Sequence, residues 1–168
     1  IGLTELHMTV PWDISSVVSG SDSYYPGLFE YWDPSINDTS NFSIHDIVFN
    51  SEGTKMYALR ADGSGGSLNS PNNYDQILQY SMTIPWDLST LSRDVGVYMP
   101  IWNDGYRPYS LAISSDNKKF YIGTFPGSTY IYQYSLANEN LSSGTYDNKS
   151  IFVGSGNAPM GITFSNDG

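Results

Sequence analysis

The sequence predicts an all-β protein, and three observations lead to that prediction. Glycine and tyrosine are abundant, with 16 and 14 copies, beside many Ser, Thr and Asn residues that suit polar turns. Charged residues make up only 14% of the chain, which favours short strands over helices. Apolar and polar residues alternate in short runs, as they do in strands that bury one face. A share of 39% hydrophobic residues is enough for the core of one domain, which we assign to residues 1–168.

Two phrases recur along the chain and define repeat units. The first reads "DIVFNSEGTKMYAL" from Asp46, "SLAISSDNKKFYIG" from Ser110 and "GITFSNDG" from Gly161. The second reads "TELHMTVPWDIS" from Thr4, "LQYSMTIPWDLS" from Leu78 and "YQYSLANENLS" from Tyr132. These phrases predict full units at about 41–99 and 106–153, and partial units at about 1–40 and 157–168.

Each full unit is predicted to contain four short strands, A to D. Strand A covers Ile44 to Phe49 and its copy, and a polar turn, "NSEG" or "SSDN", follows, whose Gly or Asn can adopt a positive φ. Strand B is "KMYAL" or "KFYIG", strand C is "QILQYSM" or "YIYQYSL", and strand D is "DVGVYM" or "KSIFVG". Four strands in a period of about 50 residues are typical of a propeller blade or a related array of stacked sheets.

The repeated phrases resemble a known group of repeats. "FNSEGTKMYAL", "ISSDNKKFYIG" and "FSNDG" are similar to the "F-s-x-D-G-x-k-x-Y-v" hairpin of bacterial β-propeller repeats of the NHL and YVTN type. "LQYSMTIPWDLS" resembles the "YxLsTPWDlS" element of tandem repeats in large bacterial and phage surface proteins. The resemblance implies propeller-like blades and a surface or extracellular location, but no chemistry, because propellers host enzymes, lectins and scaffolds alike. The chain departs from the pattern at Asn117, where glycine is usual, and near Asn140, where Trp-Asp is missing.

The number of units predicts a structure that is not closed within this chain. About three units are present, whereas a closed propeller needs roughly four to eight blades. Further blades could lie outside the segment, several chains could complete one ring, or the blades could stack without closing. A head-to-tail contact whose rotation does not close gives a helical filament. The chain starts at a strand C with Ile1 and stops before a strand B, so we expect complementary open ends and a secreted, processed chain or a segment of a longer protein.

The triplet Pro-Trp-Asp is predicted to be a structural turn. It occurs twice, as Pro11, Trp12, Asp13 and as Pro85, Trp86, Asp87. Proline ends strand C, and the aspartate can accept backbone N–H bonds in the turn that leads to strand D. The tryptophan is expected to cover the adjacent sheet. The alternative is that the two indoles stack on a ligand.

An aromatic insertion, "SDSYYPGLFEYWDPSINDTSNFS", is the predicted interface. It places five aromatic residues within nine positions: Tyr24, Tyr25, Phe29, Tyr31 and Trp32. Aromatic side chains are enriched at interfaces because they bury a large area at low entropic cost. Two alternatives stay open: a sugar-stacking platform, with acceptors from Glu30, Asp33 and Asp38, or ordinary core.

The charge and composition exclude several partners. Seven basic and seventeen acidic residues give a net charge of −10, which repels phosphate backbones and anionic lipids. We therefore predict no nucleic-acid partner. No run approaches the roughly 18 apolar residues of a membrane span, so we predict no membrane insertion. The absence of cysteine excludes disulfides, thiolate zinc sites and a cysteine nucleophile.

No catalytic constellation, metal site or cofactor is predicted. The only histidines, His7 and His45, lie on predicted strands without an evident nucleophile or metal to serve. The loops around Asp62 and Asp104 lack the spacing of a calcium loop and are read as turns. Four Asn-x-Ser/Thr triplets are glycosylation candidates: Asn37, Asn41, Asn140 and Asn148.

These observations predict a non-enzymatic structural subunit of an extracellular assembly, such as a filament or appendage, whose partner is a second copy of itself. The alternative is a carbohydrate-binding, adhesive propeller module of a bacterial adhesin or phage fibre, with Tyr24, Tyr25 and Trp32 on the glycan face. A third option is a hydrolase or lyase propeller whose active site lies in blades outside this segment.

Overall fold

The computed structural model shows an all-β protein with only short 3-10 helices. It describes residues 3–4, 14–16, 23–24, 42–62, 75–101, 107–125, 128–137, 141–156 and 161–165. The strands are β1 (Leu3–Thr4), β2 (Ser23–Tyr24), β3 (Phe42–Phe49), β4 (Lys55–Asp62), β5 (Gln76–Met82), β6 (Leu91–Pro100), β7 (Arg107–Ile113), β8 (Lys119–Phe125), β9 (Ser128–Leu136) and β10 (Gly144–Ser155). Three single-turn 3-10 helices cover Ile14–Ser16, Leu88–Thr90 and Leu141–Ser143.

The strands form two four-stranded antiparallel sheets. Sheet 1 has the order β3-β4-β5-β6, and sheet 2 has the order β7-β8-β9-β10. Strand order follows chain order in both sheets, so each is built from hairpins alone. The predicted strands A to D of the two full units are therefore confirmed as two sheets that do not close. A third four-stranded sheet is not present among the described residues.

The short β1–β2 ladder aligns with the β5–β6 hairpin of sheet 1. Its pairs are Leu3 with Tyr24 and Thr4 with Ser23. In the aligned repeat, Leu3 and Thr4 correspond to Ile77 and Leu78, and Ser23 and Tyr24 correspond to Val97 and Tyr98. The pairing therefore differs by one residue from the β5–β6 pairs Ile77 with Met99 and Leu78 with Tyr98. The three 3-10 helices also begin at aligned positions. The third one forms in a unit without Pro-Trp-Asp, so this turn does not depend on the triplet.

A continuous core joins the two sheets face to face. Strand β4 alternates, with Tyr57 and Leu59 on the face towards sheet 2. The ring of Tyr57 meets Phe120 of β8 edge-on, with centroids 4.9 Å apart at 78°. Full burial of each such side chain stabilises the fold by about 1.5–3 kcal/mol. Sheet 2 contributes Leu111, Phe120, Ile122, Tyr132, Tyr134, Leu136 and Leu141 to this core.

The opposite face of sheet 1 carries a second apolar cluster. Its buried members are Met56, Ala58, Leu78, Tyr80, Met82 and Leu91. In the aligned repeat all of these positions except Leu91, which corresponds to Gly144, match residues by which sheet 2 faces sheet 1. Both faces of sheet 1 are therefore apolar, as expected for a sheet in the interior of a stack.

Candidate interaction face

The most distinctive surface of the molecule is the side of sheet 2 that points away from sheet 1. We define this outer face by Ala112 of β7, Tyr121 of β8, Ile131 and Gln133 of β9, and Ile151 of β10. Tyr121, Ile131 and Gln133 are partly exposed. At the free edge of the sheet, Ile151, Phe152 and Val153 are 62%, 55% and 50% exposed. Exposed apolar residues on an unpaired edge strand generally favour association.

The outer face repeats the face of sheet 1 that sheet 2 covers. Tyr121 aligns with Tyr57, Ile131 with Ile77 and Gln133 with Gln79. In sheet 1 these three residues are buried, with Ile77 completely inaccessible. The same kinds of residues are thus buried where a sheet stacks on them and partly exposed where no four-stranded sheet is described. The outer face therefore repeats part of a surface that stacking buries in sheet 1.

Residues 161–165 lie across this outer face. The ring of Phe164 stands 4.3 Å from that of Tyr121, yet Phe164 remains 43% exposed. A groove of about 750 Å³ runs along the segment beside Ala112 and Ile113. A second groove of about 240 Å³ lies between Phe164 and Ile151. The segment covers the outer face only in part and leaves apolar clefts on either side.

Each sheet holds one carboxylate that joins its strands C and D. In sheet 1 the amide of Gln79 and the hydroxyl of Ser81 donate to Asp94 at 2.6 and 2.8 Å. In sheet 2 Gln133 and Ser135 donate to Asp147 at 2.5 and 2.7 Å. A carboxylate with two donors can be partly buried without a penalty for unmet hydrogen bonds. No sequence motif indicated this network, although the recurring "QYS" within strand C was a visible signal.

The pKa of Asp147 is lowered by the same network. Burial by itself raises the pKa of this carboxyl group, because the charged form loses solvent. The hydrogen bonds from Gln133 and Ser135, together with the positive charges of Lys119 and Lys149, outweigh that effect. Asp147 is therefore held in its ionised form on the outer face.

Two contacts connect the strand A regions and the A–B turns of the two sheets. Asp46 accepts a hydrogen bond from the backbone N–H of Leu111 at 2.8 Å. Asn117, which is buried, accepts from the backbone N–H of Ser51 at 3.3 Å and donates to Glu52 at 2.8 Å. The position equivalent to Asp46 in sheet 2 is Ser110. It is fully buried, and its Oγ has no hydrogen-bond partner among the described residues.

The departure from glycine at Asn117 has a structural reason. The residue has φ +57°, a left-handed conformation that asparagine tolerates better than most residues. Its side chain then reaches the A–B turn of the preceding sheet. Asn117 therefore keeps the backbone shape of the turn and adds a link between the sheets.

In the described part of the chain the indole of Trp86 lies against its own sheet, and its contact with an adjacent sheet stays a prediction. Its indole lies on Gly53 in the A–B turn of its own sheet, where an added Cβ would stand only 2.2 Å from the ring. The indole also packs beside Phe49, with ring centroids 5.7 Å apart, and it stays 56% exposed. The reason is local: the backbone N–H of Trp86 donates to the carbonyl of Gly53 at 2.8 Å, which fixes the indole over the glycine.

The rest of the triplet forms the turn before strand D. Pro85 occupies the second position of a turn closed by a bond from Asp87 N–H to the carbonyl of Ile84, and Trp86 occupies the third with φ +64°. Asp87 then caps the 3-10 helix by accepting from the N–H of Ser89 at 2.9 Å. Pro11, Trp12 and Asp13 of the first copy lie outside the described residues.

Comparison of the two units shows that the glycine at position 53 and the tryptophan at position 86 occur together. The unit with the indole has glycine beneath it, with φ +66°. The second unit has Asn117 at the glycine position and lacks the tryptophan. A side chain at this position has room only when the indole is absent. The two departures of the second unit from the repeat pattern are therefore one coupled change.

His45 lies at the boundary between the sheets. Its ring meets Tyr109 of β7 edge-on at 4.6 Å. Burial lowers the pKa of this imidazole, and the positive charge of Arg107 lowers it further, while the carboxylate of Asp75 acts in the opposite direction. His45 is therefore a neutral packing residue at pH 7. His7 lies outside the described residues.

Other predicted site residues are placed as follows. Asn148 is exposed in a bulge of β10 with φ +55°. Tyr24 is placed by its backbone alone, in β2. The remaining members of the aromatic insertion and three glycosylation candidates lie outside the described residues: Tyr25, Phe29, Tyr31, Trp32, Asn37, Asn41 and Asn140. Within the described ranges no group of three or more His, Asp or Glu side chains could hold a metal ion.

The fold and the outer face define a class of protein: an all-β chain of repeated, stacked four-stranded antiparallel sheets. Comparisons with protein-family models, with curated proteins and with solved structures found no match to this chain. Among the described residues, the helices are all too short to cross a membrane.

Proposed function

We propose that this chain is a non-enzymatic structural module, a propeller-like β-repeat subunit of an extracellular assembly that grows into a filament or appendage by stacking sheets. One observation carries the proposal. The outer face of sheet 2 repeats Tyr57, Ile77 and Gln79 of the face of sheet 1 that another sheet covers as Tyr121, Ile131 and Gln133, although Gly123 replaces Leu59. A repeat that stacks on itself once inside the chain has the surface to do so again between chains.

The exposed edge supports the same proposal. Proteins normally protect edge strands with charges, prolines or short lengths, because unpaired N–H and C=O groups invite association. Strand β10 is 12 residues long and exposes Ile151, Phe152 and Val153 near its end. Lys149 and the bulges beside it give only partial protection. An assembly protein would use this edge rather than protect it.

Electron microscopy of the native material that contains this chain tests the proposal. We expect long fibres with a regular axial repeat. Native material that holds only discrete monomers would overturn the assembly function. Purified chain at increasing concentration, followed by light scattering, provides a second reading of the same property.

A second candidate function is carbohydrate binding, and the exposed indole of Trp86 favours it. One face of the ring lies on Gly53 while 56% of the residue is open to solvent beside Ile84, itself 54% exposed. A fixed aromatic plate of this kind suits the apolar face of a sugar ring. Binding on a glycan array that disappears in Trp86→Ala, with the fold intact by circular dichroism, would support this function. No binding to any glycan would contradict it.

A further inference from the structure

The two sheets meet along their strands A, and each of these strands is the end strand of its sheet. Strand β3 lies at one end of sheet 1 and β7 at one end of sheet 2, and the two strands pack against each other. Among the described residues, each has a paired neighbour on one side only. An end strand separates from a fold at lower cost than a central strand. The contact between β3 and β7 is therefore the place where the two sheets can part with least loss of core.

A bulge in each strand A places an aromatic ring at this contact. His45 is the extra residue of a bulge in β3, and Tyr109 is the extra residue of a bulge at the aligned position of β7. A bulge changes the direction of its side chain relative to the regular strand. The rings of His45 and Tyr109 meet edge-on with centroids 4.6 Å apart, and Tyr109 in turn meets Phe125 at 5.7 Å. The same position of both repeats thus forms one contact, with an imidazole on one side.

Two carboxylates of sheet 1 extend the contact. Asp46, next to His45, accepts a hydrogen bond from the backbone N–H of Leu111 at 2.8 Å. Glu52, in the A–B turn, accepts one from the side-chain amide of Asn117 at 2.8 Å. We define the β3–β7 junction by six residues: His45, Asp46, Glu52, Tyr109, Leu111 and Asn117. All three residues that sheet 1 contributes to the junction are titratable, in contrast to the apolar core beside it.

The surroundings of His45 disfavour its charged form. The charged and titratable groups near the imidazole among the described residues are Asp46 and Arg60 on its own sheet, Asp75 before β5, and Arg107 and Tyr109 on β7. Burial lowers the pKa of the imidazole and the positive charge of Arg107 lowers it further, whereas the carboxylate of Asp75 raises it. The carboxylate of Asp46 is already engaged by two backbone N–H groups. A proton on His45 is therefore poorly compensated while the junction is closed.

Acid acts on the junction in two steps. An imidazole in an opened junction is surrounded by water and binds a proton near its ordinary value of about pH 6.5, whereas the closed junction binds it only at lower pH. The closed form therefore loses stability as the pH falls below about 6.5.

The second step concerns Glu52. The pKa of this carboxyl group is lowered chiefly by the hydrogen bond from Ser51 and also by the bond from Asn117. Only the bond from Asn117 crosses the junction, so only this part depends on closure. It stabilises the closed form above the ordinary value of about 4.3 and is lost as the pH falls through the lowered value. The step at Glu52 is therefore smaller and lies at more acidic pH than the step at His45.

We propose that the β3–β7 junction is an acid-sensitive joint, which opens at mildly acidic pH and separates the strands A of the two sheets while the apolar core between the sheets stays intact. Protonation of His45 is the trigger, and loss of the bond between Asp46 and Leu111 is the first consequence. The two sheets loosen in an acidic medium without unfolding. The joint lies inside the chain, so it does not depend on the proposed assembly.

Hydrogen exchange of single backbone amides, measured by NMR on the purified 168-residue chain, tests the joint. The N–H of Leu111 reports opening, and the N–H groups of Ala58 and Leu78, which are paired at the centre of sheet 1, report global unfolding. Protection is measured relative to an unstructured peptide at the same pH, which removes the intrinsic pH dependence of exchange. We expect protection at Leu111 to fall about threefold or more between pH 7 and pH 5, with no change at Ala58 and Leu78. No fall at Leu111, or an equal fall at all three amides, would overturn the proposal.

Matched variants assign the effect to His45. His45→Phe keeps a ring against Tyr109 but cannot take up a proton, so protection at Leu111 should be the same at pH 7 and pH 5. Tyr109→Phe keeps the ring on the other side of the contact and leaves the imidazole in place, so it should retain the pH dependence of the wild type. If the Leu111 amide of His45→Phe still loses protection in acid as in the wild type, His45 is not the trigger and the proposal is wrong.

The aligned acidic residues of the two A–B turns test the second step. Glu52 accepts across the junction, whereas Asp116 accepts from groups of its own turn. The N–H of Ser51, which donates to Asn117 at 3.3 Å, reports opening at this end. Between pH 5 and pH 3 we expect its protection to fall in the wild type and in Asp116→Asn, and to stay level in Glu52→Gln. An equal fall in Glu52→Gln and the wild type would exclude Glu52 from the joint.

Discussion

Substitution of Gly53 by alanine tests directly whether the Trp86 indole packs on Gly53. The structure leaves no room there, since an added Cβ would lie 2.2–2.3 Å from three atoms of the ring. The backbone at Gly53 also has φ +66°, which costs an alanine roughly 1–2 kcal/mol. Both effects destabilise the variant, and the first requires that the indole leave its position.

The size of the effect follows from the area that the indole covers. Trp86 is 56% exposed, so a little under half of its surface is covered. For a tryptophan this is about 100 Å², which corresponds to about 2.5 kcal/mol at about 25 cal/mol per Å². We therefore expect Gly53→Ala to lower the free energy of unfolding by about 3.5–4.5 kcal/mol. Trp86→Ala alone is expected to cost about 2 kcal/mol.

A double-mutant cycle by urea denaturation separates the two effects. In a Trp86→Ala background the clash is absent, so Gly53→Ala should cost only the roughly 1–2 kcal/mol of its backbone conformation. The coupling between the two positions is then about 2–3 kcal/mol. Gly53→Asn in the same background reproduces the second unit and should be tolerated best. If Gly53→Ala lowered the free energy of unfolding equally in both backgrounds, the packing of the indole on Gly53 would be refuted.

Three further predictions concern single side chains. Asn117→Ala should cost about 2–4 kcal/mol, since a buried amide loses its bonds to the turn of sheet 1 and alanine is strained at φ +57°; Asn117→Gly keeps the backbone and should cost less in the same urea titration. The pKa of Asp147 is lower in the folded chain than the value of about 3.9 in the unfolded chain, so its carboxylate stabilises the fold at pH values above 3.9. This stabilisation is lost as the pH falls through the folded pKa. Asp147→Asn should therefore be less stable than the wild type at pH 7 and nearly as stable as the wild type at pH 2. Because the pKa of His45 is lowered in the folded chain, the unfolded chain binds a proton at a higher pH, and stability should fall as the pH drops below about 6.5. His45→Gln should remove this pH dependence in thermal melts between pH 7 and 5. A pH profile that is the same in the variant and the wild type would contradict the burial of the imidazole.

The strands and turns of the two units were predictable because their signals are local. Alternation of apolar and polar residues decides which side of a strand faces a core, and the sequence "NSEG" marks the reversal at Gly53. Because the sequence repeats, a strand predicted in one unit also supported a strand at the aligned position of the other unit. The open array followed as well, because about three units are too few to close a ring.

Only the tertiary structure decided which side chains meet. Asp46 and Leu111 are 65 positions apart in the sequence, and the register of stacked sheets brings them together. The carboxylate of Asp147 accepts hydrogen bonds from Gln133 and Ser135 because a bulge sets the pairing of β9 with β10. The packing of the Trp86 indole on Gly53 could not be predicted for the same reason, since a glycine has no side chain that would leave a pattern in the sequence. Periodicity along one strand fixes which faces are apolar, whereas the contact between two faces depends on register and stacking, which no single segment of sequence contains.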